Sequence, residues 1–191
     1  KNNIDKNKGV ICVTYHNRSV DMLLIWMNSQ TTSVSLYKKI KNRSLELFVK
    51  TKRQINGSIS VKTSISGVRT VYKALNDKKV VCFAADQVPK RGMGEHINFF
   101  GKQAYSTTLA QNLAIKSKSP VIYFVMNSSI NGFLYVSLKQ SSKNIYNDSK
   151  YLHIINNDIE KMIKKRPIDY AWEYKRFKRS LPDVKNLYSD I

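Results

Sequence analysis

The chain has 191 residues, of which 42% are hydrophobic and 24% are charged. This length and balance predict one folded domain over residues 1–191 and exclude a disordered chain, a collagen-like fibre and a disulfide scaffold. Lys and Arg number 33 against 13 Asp and Glu, a formal net charge of +20, which predicts an anionic partner: a nucleic acid, an anionic membrane surface, a phosphorylated lipid or an acidic protein.

Short runs of β-branched and aromatic residues alternate with stretches of helical spacing in the first half of the chain. Ser19 or Asn17 can cap the first predicted helix, and Asn42 can cap the second. The predicted elements are a strand at 9–15, a helix at 20–28, a strand at 33–37, a helix at 43–54, a strand at 59–65 and a helix at 67–75.

The second half begins with a strongly apolar run at 79–85, followed by a loop that extends to Gly94. Two further runs flank Asn131-Gly132, which predicts an antiparallel hairpin near the C-terminal part. The predicted elements are a strand at 79–85, an extended segment at 97–100, a helix at 107–116, strands at 121–126 and 133–138 and a basic amphipathic helix at 151–166. This order predicts an α/β fold, with a mixed, mostly parallel sheet and helices on both of its faces.

Cys12 and Cys82 are the two cysteines, and each lies inside an apolar run. We interpret them as reduced core thiols rather than as a disulfide or metal ligands. His16, His96 and His153 show no zinc-ligand spacing, so no metal site is predicted. The sequence has no apolar run of the roughly 18 residues needed to span a bilayer. It also lacks a P-loop, a dinucleotide-binding glycine motif and a nucleophilic serine elbow, so no cofactor is predicted.

Titratable residues follow two of the predicted strands, at the ends where open α/β sheets bind ligands. His16 follows the first strand and Asp86 follows the strand at 79–85. Asp21 stands five residues after His16, and the two can meet if His16 stays in the loop while Asp21 lies in the first helical turn. Asp21 would then accept a hydrogen bond from Nδ1 of His16 and leave Nε2 free as a general base. The alternative is a helix-capping acid beside a surface histidine.

Four sequence blocks follow one another along the chain: His16 with Asp21, Asp86-Gln87 after a strand, Gly94 with Phe99-Phe100-Gly101, and Pro167 through Trp172 to Arg176-Phe177-Lys178. In this order they resemble the blocks of the bacterial lipid A biosynthesis acyltransferases, the late, acyl-carrier-protein-dependent family within the HX4D/E lysophospholipid acyltransferase-like superfamily. The chain departs from the family at two places. Family members often have Gly-Asn-Trp-Glu where this chain has Arg18-Ser19-Val20-Asp21, and Tyr-Arg-Pro where it has Tyr37-Lys38-Lys39.

The resemblance implies a glycerolipid-acyltransferase-like fold and a transfer of an acyl chain from an acyl-carrier-protein or acyl-CoA thioester to a lipid hydroxyl. His16 and Asp21 would be catalytic, and Asp86 and Gln87 would shape the acceptor site. Lys38 and Arg53 would hold phosphates of an anionic lipid acceptor. The alternatives are that Asp86 caps the following loop and that the two basic residues belong to a solvated face.

The implied acceptor is a lipid A precursor, and the implied place is the cytoplasmic face of the bacterial inner membrane. We expect the chain to be a fragment that lacks an N-terminal membrane-anchoring region. Basic clusters would attract the membrane surface and an acidic carrier protein. Another lipid acceptor (a lysophospholipid, glycolipid or ornithine lipid) and a non-enzymatic nucleic-acid binder are the alternatives, although no nucleic-acid partner is expected. The clusters are Lys161, Lys164, Lys165 and Arg166, and Lys175, Arg176, Lys178 and Arg179.

Overall fold

The computed structural model describes residues 8–146, 152–179, 181 and 187–188. The strands within these residues are β1 (Val10–Thr14), β2 (Ser33–Tyr37), β3 (Ile59–Lys62), β4 (Val80–Ala84), β5 (Gly94–Phe99), β6 (Lys102–Thr107), β7 (Val121–Ser128) and β8 (Leu134–Gln140). The α-helices are α1 (Val20–Gln30), α2 (Arg43–Arg53), α3 (Ile65–Asn76), α4 (Leu109–Ser117) and α5 (Leu152–Lys165).

Six strands form one sheet in the order β3-β2-β4-β1-β7-β8. The first five run parallel, and β8 pairs antiparallel with β7. Strands β5 and β6 form a separate antiparallel pair. The predicted α/β class, the mostly parallel sheet and the hairpin after 120 are confirmed.

The central strands are buried on both faces, which explains why they are apolar without a break. Ile11 and Val13 belong to the larger core with α3, α4 and α5, whereas Cys12 faces α1 together with Cys82. Both thiols are free and buried, as predicted. Burial raises the pKa of Cys12 to about 12, so this thiol stays protonated and unreactive.

Polar caps set the boundaries of the first three helices. The Ser19 hydroxyl accepts from the amide of Met22, and the Asn42 side chain accepts from the amide of Leu45, so both predicted caps are confirmed. Ser64 caps α3 through the amide of Gly67. The strand predicted at 59–65 therefore ends at Lys62, and the following helix begins two residues before the predicted start.

The largest difference from the sequence prediction is β6, which was not predicted. Strands β5 and β6 join through Phe100 and Gly101, whose φ angles of 49° and 75° are those of a tight type I′ hairpin turn. Glycine enters this region without steric cost, and Phe100 is held there by a 2.7 Å hydrogen bond from its amide to Glu160. Helix α4 consequently starts at Leu109, two residues later than predicted.

Helix α5 corresponds to the helix predicted at 151–166, of which Tyr151 lies outside the described residues. None of the helices in the described part of the chain is long and apolar enough to cross a membrane.

Candidate active site

The pairing of β1 with β4 brings His16 and Asp86 together at the carboxyl edge of the sheet. Thr14 pairs with Ala84 in parallel register, and His16 and Asp86 each stand two residues further on. The backbone amide of His16 donates to Oδ2 of Asp86 at 3.1 Å, and Nδ1 of the imidazole lies 2.8 Å from Oδ1. One carboxylate thus holds both the backbone and the ring of the histidine.

The partners of the imidazole define its tautomer. The Asp86 carboxylate accepts hydrogen bonds, so Nδ1 carries the proton and Nε2 has a lone pair. The side-chain amide of Gln87 lies 3.1 Å from Nε2 and can donate to it. The Asp86 side chain is 2% exposed and that of His16 is 34% exposed. The imidazole is thus partly exposed, while the acid that orients it is buried.

The surroundings of His16 affect its pKa in opposite directions. Burial lowers the pKa, and the hydrogen bond and negative charge of Asp86, with smaller contributions from Asp21 and Glu173, raise it. The net effect is a pKa above the ordinary histidine value. Asp86 therefore stabilises the imidazolium, which is what a general base requires once it has taken a proton.

The predicted hydrogen bond between His16 and Asp21 is wrong, because Asp86 occupies Nδ1. Asp21 lies in the first turn of α1, where its side chain is 54% exposed and bound by Arg53 of α2, with Nε at 2.8 Å from Oδ1. The carboxylate thus links two helices and influences His16 through its charge alone. Asp21 is close to His16 in the sequence, which favoured it as the partner of Nδ1. The register of β1 and β4 brings Asp86 to this position instead.

The remaining predicted site residues lie around this pair. Gln87 contacts the imidazole, and Asp86 orients it rather than only capping the following loop. Lys38 follows β2 at the same carboxyl edge and is exposed. Arg53 is engaged with Asp21, so the structure does not bring it to the imidazole.

The segment after α5 holds the loop that carries His16. Asn17 and Tyr170 form an antiparallel bridge, and the amide of Ala171 donates to the carbonyl of His16 at 3.0 Å. The amide of Arg18 donates to the carbonyl of Asp169 at 2.8 Å. Asn17 therefore belongs to this pairing and does not cap α1.

A buried carboxylate strengthens the same connection. Asp169 has a fully buried side chain that pairs with Arg18 at 2.7 Å and with Arg166 at 2.9 Å. The hydroxyl and the backbone amide of Ser128 also approach it, at 3.3–3.4 Å. These contacts tie the His16 loop, the end of β7 and the C-terminal segment into one unit.

Two tyrosines of this segment reach the loop after β4. Burial, followed by the charge of Asp86, raises the pKa of Tyr170. The Tyr174 hydroxyl accepts from the amide of Val88 at 3.0 Å. The sequence interpretation did not assign a role to Tyr170 or Asp169, although both lie within the stretch from Pro167 that resembles the family.

The second basic cluster is partly structural. Arg176 is buried and donates to the carbonyl of Tyr105 and the hydroxyl of Ser106. Lys178 lies over the ring of Tyr174, and Arg179 donates to the carbonyl of Pro89. Arg176 and Arg179 thus fasten the C-terminal segment to the body of the protein, whereas Lys178 contacts a ring of the same segment.

The described residues contain no group of three or more His, Cys, Asp or Glu side chains that could hold a metal ion.

Comparison with known proteins identifies a family. Residues 1–179 match the family model described as bacterial lipid A biosynthesis acyltransferase. No significant match was found among curated proteins. The match covers most of the chain, so the protein belongs to the bacterial lipid A biosynthesis acyltransferase family and is an acyltransferase.

Proposed function

We propose that the protein transfers a fatty acyl chain from an acyl-carrier-protein thioester to a hydroxyl of a lipid A precursor, with His16 as the general base. The observation that carries this proposal is the imidazole held by Asp86 through Nδ1, on a His16 side chain that is 34% exposed. In an acyltransferase, such an imidazole is suited to activating an alcohol.

In the proposed reaction, Nε2 of His16 removes the proton of the acceptor hydroxyl while its oxygen attacks the thioester carbonyl carbon. The tetrahedral intermediate then collapses, the C–S bond breaks, and the imidazolium returns its proton to the departing thiolate. The products are the ester and the free thiol of the carrier. Base assistance of this kind contributes about 10²–10⁴ in rate, and Asp86 stabilises the imidazolium during the step.

Gln87 supports a second part of the mechanism. Its amide lies 3.1 Å from Nε2 of His16, the position that the attacking hydroxyl has to take. Once displaced by the hydroxyl, this amide has free N–H groups beside the reacting carbonyl. We assign it to the stabilisation of the oxyanion, for which loss of one donor typically costs about 2.7–4 kcal/mol.

The acceptor would bind through its phosphates. Lys38 is the more available of the two proposed cations, since it is exposed at the edge of the sheet. Arg53 uses Nε and Nη2 on Asp21, which leaves Nη1 for a phosphate. Asp21 would act in catalysis by raising the pKa of His16 through its charge.

The proposed location is the cytoplasmic face of the bacterial inner membrane, with the protein held at an anionic lipid surface. Helix α2 supports the contact with a lipid surface, because none of its residues is buried. Leu47 and Phe48 are 65% and 59% exposed, and Lys50, Lys52 and Arg53 lie in its last turn. Apolar side chains next to lysines are typical of helices that lie in a membrane interface.

The test is an acyl-transfer assay with the purified chain and vesicles that contain an under-acylated lipid A precursor. Labelled acyl-carrier protein and acyl-CoA are supplied separately, and the lipid product is identified by mass. Parallel vesicles with a lysophospholipid, a glycolipid or an ornithine lipid test the alternative acceptors. A product formed only from one of these would replace the lipid A precursor in the proposal.

Variants test the role of the histidine. His16→Ala is expected to abolish the product with an unchanged circular dichroism spectrum. His153, which is exposed on α5, provides the matched control, and His153→Ala is expected to retain full activity. Undiminished product from His16→Ala would show that the base lies elsewhere.

A further inference from the structure

A groove of about 540 Å³ lies between α3 and α4, away from the contacts of His16. Its floor includes the apolar side chains of Val68, Leu109 and Leu113. The residues that line it are Val68, Arg69, Tyr72, Lys73 and Asn76 of α3 and Leu109, Asn112, Leu113 and Lys116 of α4.

The rim of the groove is positively charged. Arg69, Lys73 and Lys116 are exposed, and no acidic residue lines the groove. Within the described residues, none of these three cations has an ion-pair partner. An apolar floor between unpaired cations is complementary to a surface that is apolar along its centre and acidic along its edges.

The spacing of the charges favours a helix as the occupant. Arg69 and Lys73 are four residues apart, so they lie one turn apart on the same face of α3, and Lys116 lies on the opposite wall. Acidic side chains one turn apart on an amphipathic helix would match them. A single lipid headgroup would instead need cations that converge on one point.

The direction of the groove relates it to the active site. Helix α3 leads from the end of β3 to the start of β4, and α4 leads into the start of β7. Helix α3 therefore runs from the carboxyl edge of the sheet to its amino edge, and α4 ends at the amino edge. The end of the groove marked by Val68 and Leu109 lies toward the edge that carries His16 and Asp86.

We propose that this groove binds an acidic amphipathic helix of the acyl-carrying donor protein, and so positions the thioester for the site at the carboxyl edge. The proposal rests on the proposed function for the identity of the donor. It assigns to the α3–α4 face a binding role separate from the lipid-facing helix α2.

Charge reversal tests the proposal. Arg69→Glu and Lys73→Glu are each expected to weaken the binding of acyl-carrier protein about tenfold, measured as Kd by calorimetry. The KM for acyl-carrier protein should rise by a similar factor, whereas the KM for acyl-pantetheine, a small neutral thioester, should not change. Lys102→Glu, an exposed lysine of β6 outside the groove, is the matched control and should leave Kd unchanged.

A second variant alters the shape of the groove without altering its charge. Asn112→Trp places a large side chain between the helices and is expected to weaken the binding of acyl-carrier protein while acyl-pantetheine turnover is retained. An unchanged Kd for both Arg69→Glu and Asn112→Trp would overturn the proposal. An equal loss for Lys102→Glu, or a loss of vesicle binding in place of carrier binding, would overturn it as well.

The two proposals fail in different ways. If the wild-type chain forms no ester with any donor, the proposed function fails, and the Kd for acyl-carrier protein still decides whether the groove binds an acidic helix. If ester is formed and the variants in the groove leave Kd and KM unchanged, the groove proposal alone fails.

Discussion

The imidazole of His16 lies 2.8 Å from the carboxylate of Asp86, although 70 residues separate them along the chain. The contact follows from the parallel register of β1 and β4, in which the two residues extend beyond paired strand ends. The carboxylate binds the backbone amide of His16 as well as the ring. The orientation of the base therefore depends on the sheet itself and less on the helix that follows the histidine.

Replacement of Asp86 by Asn is expected to change both the rate and the pH dependence of acyl transfer. The carboxylate raises the pKa of His16 against the lowering effect of burial, so without it the pKa falls. The acidic limb of the kcat/KM profile should move to lower pH, while the plateau falls by about 10²–10⁴. The measurement is the pH–rate profile together with an NMR titration of His16.

Asp21→Asn is the comparison for that experiment. Asp21 acts on His16 through its charge, without contact. The acidic limb of the kcat/KM profile of Asp21→Asn should therefore move to lower pH as well, but by less than that of Asp86→Asn. A larger shift for Asp21→Asn than for Asp86→Asn would contradict the assignment of Asp86 as the orienting acid.

Tyr170→Phe is expected to change the pH dependence and the kcat of acyl transfer, because Tyr170 acts as a positioning residue for Asp86. The charge of Asp86 raises the pKa of the Tyr170 hydroxyl, so the protonated hydroxyl in turn stabilises the carboxylate. Its removal leaves the carboxylate more basic and more strongly attracted to the imidazolium. The pKa of His16 should rise, which moves the acidic limb to higher pH, opposite to the effect of Asp86→Asn. The kcat should fall about tenfold, in line with the loss of a polar group beside a charged one, with little change in KM.

Tyr174→Phe is the control, because this hydroxyl contacts the amide of Val88 and not the carboxylate. It can lower the rate by loosening the loop after β4, but the acidic limb should stay in place. Identical pH profiles for Tyr170→Phe and the wild type would mean that Tyr170 has a packing role only.

The sequence predicted most of the sheet, because its strands are continuous apolar runs separated by capped helices. Strand β6 escaped prediction for a local reason. Its sequence, from Lys102 to Thr107, is polar at four positions, and the turn before it places Phe100 at positive φ, where a non-glycine residue is uncommon. Pairing with β5 and packing against α5 decide this strand, and neither is visible in the local sequence.

The site was predicted in part for a similar reason. Both His16 and Asp86 were expected at the carboxyl edge, but their pairing requires β1 and β4 to be neighbours, which is long-range information. The conformation of Arg18 also depends on long-range contacts. Its φ is 53°, and family members often have glycine at this position. Here Asp169 stabilises the left-handed backbone by binding both the amide and the guanidinium of Arg18 through its carbonyl and carboxylate.

Asp169→Asn is expected to destabilise the fold and the His16 loop together. The carboxylate is fully buried between Arg18 and Arg166, and its removal leaves two guanidinium groups without their anion. Both arginines are partly exposed, so the cost should be about 2–3 kcal/mol rather than that of an isolated buried charge.

Thermal unfolding measures this prediction. For a chain of this size the expected loss corresponds to a Tm lower by about 4–12 °C. Asp158→Asn, which removes one ion pair with exposed Lys139, is the control and should change the Tm by much less. Equal changes for the two variants would show that the Asp169 cluster has no special weight in the fold.

Substitution of the exposed apolar residues of α2 is expected to weaken binding to anionic vesicles. Leu47→Ser and Phe48→Ser each remove a side chain that is more than half exposed next to basic residues of the same helix. The chain carries +20 overall, so general attraction to anionic lipid should persist in both variants. The apolar contribution to binding, about 1.5–3 kcal/mol for a fully buried side chain, should be lost.

Vesicle sedimentation at high salt measures the apolar contribution to binding by itself, because salt screens the charges. Ile130→Ser, at the 95% exposed tip of the β7–β8 hairpin, is the matched control. An equal loss for Ile130→Ser, or none for the variants of α2, would place the membrane contact on another face.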